Sequence, residues 1–153
     1  MLDAVGTSGY GYDGAGQLLS EDGPWVNDVI TNGYTARQRT SLGLQEPTGS
    51  PWAQSYAYDG ARRLTNVTSV AGSFGYAYDA TRKMLVGKLL LPNAAYITNT
   101  YDSVARLLTT KLQTNGVNID AYTYAYNLGG QRTQETFTSN NYVNFTYDSA
   151  GQL

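Results

Sequence analysis

Apolar and polar positions alternate with a period of two in short runs along the chain. Leu64-Thr65-Asn66-Val67-Thr68-Ser69-Val70 and Leu107-Leu108-Thr109-Thr110-Lys111-Leu112-Gln113 mix aliphatic with hydroxyl side chains, as half-buried strands do. Turn signals follow at Ala71-Gly72-Ser73, Thr114-Asn115-Gly116 and Ser139-Asn140-Asn141. This spacing predicts strands of roughly 6 to 8 residues joined by short connections.

The alternation is punctuated by one recurring phrase. It reads Tyr10-Gly11-Tyr12-Asp13-Gly14-Ala15-Gly16-Gln17-Leu18, Tyr56-Ala57-Tyr58-Asp59-Gly60-Ala61-Arg62-Arg63-Leu64 and Tyr76-Ala77-Tyr78-Asp79-Ala80-Thr81-Arg82-Lys83-Met84. It returns as Tyr101-Asp102-Ser103-Val104-Ala105-Arg106-Leu107, Tyr124-Ala125-Tyr126-Asn127-Leu128-Gly129-Gly130-Gln131-Arg132 and Tyr147-Asp148-Ser149-Ala150-Gly151-Gln152-Leu153. A degenerate copy, without the acid, stands at Tyr34-Thr35-Ala36-Arg37-Gln38-Arg39, so the second tyrosines fall at 12, 34, 58, 78, 101, 126 and 147. Steps of 20 to 25 residues are the spacing of an internal repeat.

The phrase has a mechanical reading. Two tyrosines two residues apart stand on one face of a strand and bury ring area together. The Asp or Asn that follows can accept backbone N–H groups two residues on and so start a turn. Gly16, Gly130 and Gly151 sit where a positive φ is easily adopted. A return strand is then expected from Leu18, Leu64, Met84, Leu107 or Leu153. The stretch 20–51, with Pro24, Pro47, Pro51 and both tryptophans, is the least regular and is expected to be a longer loop between hairpins. The whole chain, 1–153, reads as a single repeat array of about six copies.

Composition supports the same fold class. Fourteen Tyr and 17 Gly beside 14% charged residues suit a pleated sheet with many turns. The expectation is all-β: repeated antiparallel β-hairpins forming a twisted, curved sheet, part of a shell or barrel. A net charge of −2 without a basic stripe argues against nucleic acid as partner. The absence of Cys and His removes disulfides, thiolate nucleophiles, histidine acid–base catalysis and nearly every zinc site. No catalytic, cofactor or metal residue is therefore assigned, and the chain is expected not to be an enzyme. Met1 to Gly6 does not read as a signal peptide, and the most apolar stretch, Met84 to Leu91, is too short to enter a bilayer as a span.

From Tyr10 to Leu153 the phrases resemble the YD repeat, also called the Rhs repeat, whose pattern is roughly Tyr-x-Tyr-Asp-x-x-Gly-Arg-Leu followed by a strand. The resemblance implies hairpins joined edge to edge into a spiralling sheet, as in the hollow shells of bacterial toxin complexes and polymorphic toxins and a related barrel in animal teneurins. In that family the shell encloses a toxic C-terminal segment. The structural repeat residues it implies here are Tyr12, Asp13, Gly16, Tyr58, Asp59, Tyr78, Asp79, Tyr101, Asp102, Tyr126, Asn127, Gly130, Tyr147 and Asp148. It further implies a secreted or cell-surface parent, and the parent's remaining repeats or its cargo as partners. Three departures stand out. The turn glycine is replaced by Arg62, Arg82 and Ala105, so a uniform left-handed turn is not expected there. No Asp-Pro-rich closing segment or toxin domain is found. The copies are also too few for a closed container, so the chain is expected to be a fragment of wall with two free edges that favour self-association.

Other chemistry is weaker. Gly9 to Gly14 matches the G-x-G-x-x-G dinucleotide pattern, but Gly23-Pro24 follows instead of a helix. A hydrolase would need two facing carboxylates among Asp3, Asp13, Glu21, Asp22, Asp28, Glu46, Asp59, Asp79, Asp102, Asp120, Glu135 and Asp148, and five of these belong to the repeat turn. Arg62, Arg63, Arg82, Arg106 and Arg132 read either as a ladder for an anionic ligand or, preferably, as partners of the repeat aspartates. Repeat tyrosines read as packing residues, buried if the chain is a piece of shell. Trp25 and Trp52 break the repeat and are the candidate ligand contacts, with carbohydrate as the alternative partner. Asn66-Val67-Thr68 and Asn144-Phe145-Thr146 match the glycosylation pattern.

Overall fold

The computed structural model describes residues 5–153. Asp3 and most of the segment read for a leader lie outside them. Among the described residues there is no helix, and the strands pair antiparallel in the order in which they occur in the chain, β1 to β13. The chain forms two compact units, Met1–Phe74 and Gly75–Leu153.

The first unit carries β1 (Gly9–Tyr12), β2 (Leu18–Asp22), β3 (Val29–Thr35), β4 (Gln38–Leu44), β5 (Trp52–Tyr58) and β6 (Leu64–Ser69). Its two faces differ in kind. Pairs Ile30↔Leu44, Leu44↔Trp52 and Tyr56↔Val67 put aliphatic and aromatic side chains on one face. Pairs Thr31↔Gly43, Gly43↔Ala53, Ser41↔Ser55 and Ser55↔Thr68 put small and hydroxyl side chains on the other. Glycine inside β3 and β4 makes room for hydroxyls across the ladder, since a Cβ at Gly33 or Gly43 would displace the hydroxyl of Ser41 or Thr31.

The second unit begins within β7 (Gly72–Tyr78) and continues through β8 (Val86–Leu90), β9 (Tyr96–Tyr101), β10 (Leu107–Thr114), β11 (Val117–Tyr126), β12 (Arg132–Phe137) and β13 (Tyr142–Asn144). The same division holds. Tyr76, Leu89, Ile97 and Leu112 follow one another across one face, where Tyr122 meets Phe137 edge-on with ring centroids 5.7 Å apart. Thr100, Thr109, Thr123 and Thr136 form a row across the other, with the Thr100 and Thr109 hydroxyls 2.7 Å apart.

Neither unit has a conventional core. Among the described residues Ala95, 5% exposed, is the only buried hydrophobic side chain. Tyr58, Tyr78, Tyr101, Tyr126 and Tyr147 are half-buried rather than buried, because each ring packs sideways on its neighbours and has no second layer over it. Cross-strand pairs of this kind contribute about 0.2 to 1 kcal/mol each, so cohesion is spread over many contacts.

The stretch 20–51 departs from the long loop expected of it. It holds β3 and β4 as a tight hairpin closed by Ala36 and Arg37, whose φ values of 49° and 66° are those of a two-residue type I′ turn. Ala and Arg give no sequence signal for that turn, whereas Asn115-Gly116, at φ 49° and 81°, makes the same turn with its usual residues. The irregular parts are only the connections 23–28 and 45–51. The return strand expected from Met84 begins at Val86, because the turn after Tyr78 is two residues longer than the others.

The remaining turns share one backbone geometry. In 13–17, 59–63, 102–106, 127–131 and 148–152 the first N–H donates to the fifth carbonyl and the fourth N–H donates back to the first carbonyl. The fourth residue is left-handed in every case: Gly16, Arg62, Ala105, Gly130 and Gly151 have φ between 64° and 80°. The left-handed turn is therefore kept at Arg62 and Ala105, contrary to the sequence expectation, at a cost of about 1 kcal/mol for a residue with a Cβ. Segments 91–95 and 137–141 repeat the geometry, with Ala94 and Asn140 left-handed. Replacing Gly130 by Ala is expected to lower unfolding stability by about 1 kcal/mol. The same change in stability should be absent for Ala105→Gly, and urea denaturation of the two variants compares them.

Candidate functional site

The recurrent site is the junction between consecutive repeats, and the aspartate of the phrase builds its first half. Oδ1 of Asp13 accepts the N–H groups of Ala15 and Gln17, both at 2.8 Å. Asp59 does the same with Ala61 and Arg63, Asp102 with Val104 and Arg106, and Asp148 with Ala150 and Gln152. In the longer turn Asp79 takes Thr81 and Arg82. Asn127 receives Gln131 N–H at 3.0 Å and gives its own amide to the Gln131 side chain at 2.8 Å. One oxygen thus satisfies two backbone donors that a tight turn would otherwise leave unpaired.

The second half belongs to the tyrosine before the acid. At Tyr12, Tyr34, Tyr58, Tyr78, Tyr101 and Tyr126 the pairing register shifts, because the returning strand holds one extra residue: Leu19, Thr40, Thr65, Gly87, Leu108 or Thr133. Each junction is therefore a β-bulge, which disrupts the ladder locally and increases twist. Hydroxyls from the following repeat reach the carbonyls beside these bulges. Tyr58 donates to Arg39 O at 2.8 Å, Tyr101 to Val86 O at 2.9 Å, Tyr126 to Leu107 O at 2.7 Å and Tyr147 to Arg132 O at 2.8 Å. In each case the acceptor is the residue paired with the preceding repeat's own second tyrosine. Tyr34 makes no such bond among the described residues, and Tyr12, at 60% exposed, lies on the edge strand β1.

Further contacts tie successive turns together. Arg62 donates to Ala36 O at 3.2 Å and Gln38 donates back to Arg62 O at 3.0 Å. In the second unit Arg106 reaches Asn127 O at 3.2 Å. The arginines considered for an anion ladder are engaged within the protein. Arg63 and Arg106 pair with Asp59 and Asp102 at 2.6 Å, and Arg82 lies 3.9 Å from Asp79. Arg106 and Arg132 also lie over the rings of Tyr126 and Tyr124, with the guanidinium 4.9 and 4.0 Å from the centroids.

These contacts set the titration of the turns. The Arg63 guanidinium, with backbone N–H groups, holds the Asp59 carboxyl below its ordinary value. The Arg82 N–H does so for Asp79. At Asp102 partial desolvation pushes upward but is outweighed by the N–H and guanidinium of Arg106. Burial raises the Tyr101 and Tyr124 hydroxyls.

Trp25 and Trp52 stand at the same end of the first unit's strands but in different clefts. Trp25, 61% exposed, lies on the 23–28 connection and borders a cleft of about 440 Å³ with Asp28, Ile30, Leu44, Gln45, Glu46 and Pro47. Trp52 opens β5, is half-buried, and lines a neighbouring cleft of about 250 Å³ with Val29, Thr31 and Pro51. Leu44 and Gln45 border both.

No family model matches the chain, and no curated protein matches it in sequence. Solved structures do match. The crystal structure of TcdB2-TccC3-Cdc42 aligns with 84% of this chain at a TM-score of 0.68 and 15% identity. TcdB2-TccC3 alone and the Tc holotoxin pore of Photorhabdus luminescens align with 94% and 96% of it, each at a TM-score of 0.51, with 14% and 15% identity. The likeness is one of fold. This chain spans only 7% to 10% of the length of those chains.

The tyrosine-to-carbonyl link was not foreseen from the sequence, although Tyr rather than Phe at all seven second positions is a usable signal for it. Removing one hydroxyl, as in Tyr126→Phe, is expected to cost about 1 kcal/mol of stability while leaving strand content unchanged by circular dichroism. Acid should weaken the fold as well. The carboxyls of Asp59, Asp79 and Asp102 are depressed in the folded state, so their contribution is complete above about pH 5 and is lost as pH falls below about 4. Urea midpoints measured between pH 7 and pH 3 should fall in that window, and Asp59→Asn should flatten the fall.

Proposed function

We propose that this chain is a structural, non-catalytic segment of an Rhs/YD-repeat wall, of the kind that encapsulates or displays a toxin or surface domain. The observation that carries the reading is the hydroxyl bond by which one repeat's tyrosine holds the bulge carbonyl of the repeat before it. Such a link has meaning only in an array, since its donor and acceptor lie in different copies of the phrase. The fold likeness to Tc toxin chains supports the same reading. So does the use of the repeat aspartates: each spends one oxygen on two backbone donors of its own turn, which suits a structural role. The partners proposed are the other repeats of a parent shell, or its cargo.

Amide hydrogen exchange resolved by segment tests whether the array is self-supporting. Protection is expected on both sides of every turn, recurring at the repeat spacing of 20 to 25 residues. The combined variant Tyr101→Phe, Tyr126→Phe, Tyr147→Phe should speed exchange throughout the second unit. Exchange that accelerates only at the substituted strands would show that the links do not couple repeats, and would remove the main support for the wall reading.

A further inference from the structure

The cleft beneath Trp25 interrupts the repeat, and its chemistry is unlike that of the junctions. Its walls are apolar, from Ile30, Leu44, Pro47 and the exposed Trp25 indole, and its polar lining residues are Asp28, Gln45 and Glu46. Two carboxylates and no cation line it. Glu21 stands opposite Ile30 in register and adds a third acid beside it.

The loop holds this arrangement in place. Gly23 N–H donates to Asp28 O at 3.3 Å, and Trp25 N–H donates to Asp28 Oδ2 at 2.9 Å. Asn27 takes a left-handed φ of 64°, and the Asp28 carboxylate leaves no room for a Cβ at residue 23. Fixed in this way, the loop presents the indole outward. Asp28 Oδ1 is shielded and has no hydrogen-bond partner among the described residues, so the carboxylate's negative charge beside the cleft is not offset by a donor on that oxygen.

The surrounding charge has one sign. No Lys or Arg occurs before Arg37, and none occurs between Arg39 and Arg62. The first unit as a whole has four cations against seven acids. An exposed indole face attracts a cation, and flanking carboxylates add to that attraction in the same direction. A neutral sugar would use the indole but not the charge.

We propose that this cleft binds the basic side chain of a peptide segment, an arginine or lysine flanked by apolar residues. The guanidinium or ammonium group lies over Trp25 between Asp28 and Glu46, and the flanking apolar residues cover Ile30, Leu44 and Pro47. This site is independent of the wall reading, because none of its residues takes part in a repeat junction.

The test is isothermal titration calorimetry of the full chain with acetyl-Leu-Arg-Leu-amide, its Gln analogue and cellobiose. Saturable binding of the Arg peptide is expected, at least about tenfold tighter than the Gln peptide and weakened by added salt. Trp25→Ala and Glu46→Gln should each weaken it by about fivefold. Glu46→Gln is the safer variant, since the Glu46 side chain accepts no backbone bond among the described residues, whereas Asp28 closes the loop; circular dichroism of Trp25→Ala and Glu46→Gln serves as the check that each variant keeps the fold. Equal binding of the Arg and Gln peptides, no saturable binding, or binding of cellobiose in preference to the Arg peptide would each overturn the proposal. Loss of repeat coupling in hydrogen exchange would leave this result unaffected.

Discussion

A sheet without a covering layer must be held together within its own plane, and this constraint shapes every repeat of the chain. In a packed domain a Phe or Leu would serve at the second aromatic position, because burial alone stabilises it. Here the rings remain half-buried, and area burial at about 25 cal/mol per Å² yields only part of its usual return. Tyrosine adds a directional bond. Its hydroxyl reaches past the strand boundary to a carbonyl of the preceding repeat, so one side chain both packs on its neighbours and fixes their register. The bulge is part of the same device: the extra residue disrupts the ladder beside the carbonyl that the hydroxyl then reaches.

The turn acid explains how the phrase tolerates substitution. Once Oδ1 of Asp59 or Asp102 holds two N–H groups, the turn no longer depends on glycine at its fourth position, and Arg62 and Ala105 adopt left-handed φ there. The arginine one place further on then returns to the same carboxylate through Oδ2. Where the acid is replaced by Asn127, its partner is Gln131, an amide pair in place of an ion pair with the same spacing. Asp79 retains both backbone acceptances with a turn two residues longer, so the acid, more than the loop length, defines the start of the turn.

The hairpins, their boundaries at Leu18, Leu64 and Leu107, and the all-β class were legible because alternation and the Tyr-Asp phrase are local signals. Other features were not. Ala36-Arg37 turns tightly because β3 and β4 pair on both sides of it, a tertiary constraint that outweighs the poor turn propensity of its two residues. Bulges leave no mark on a single strand, since they are a property of two strands counted against each other. Half-burial of the tyrosines was also hidden: their number suggests a core, and only the absence of an overlying layer shows that they pack side by side. The Trp25 cleft joins residues some 20 positions apart through the pairing of β3 with β4, which no motif encodes.

A repeat array also determines where new chemistry can arise. At a junction the acid, the tyrosine hydroxyl and often the arginine are each committed to a neighbour, so a substitution there acts on the fold first. The connections at the opposite ends of the strands carry no such obligation. Asn115-Gly116 and Val70-Ala71 close their hairpins in two residues and leave little surface to vary. Segments 23–28 and 45–51 are long enough to build a concave wall, and both clefts bordered by tryptophan lie against them. Their lengths and prolines, which make them look irregular in sequence, are what free them from the repeat. Binding specificity that must change while the sheet stays intact is physically easiest to place in these two connections.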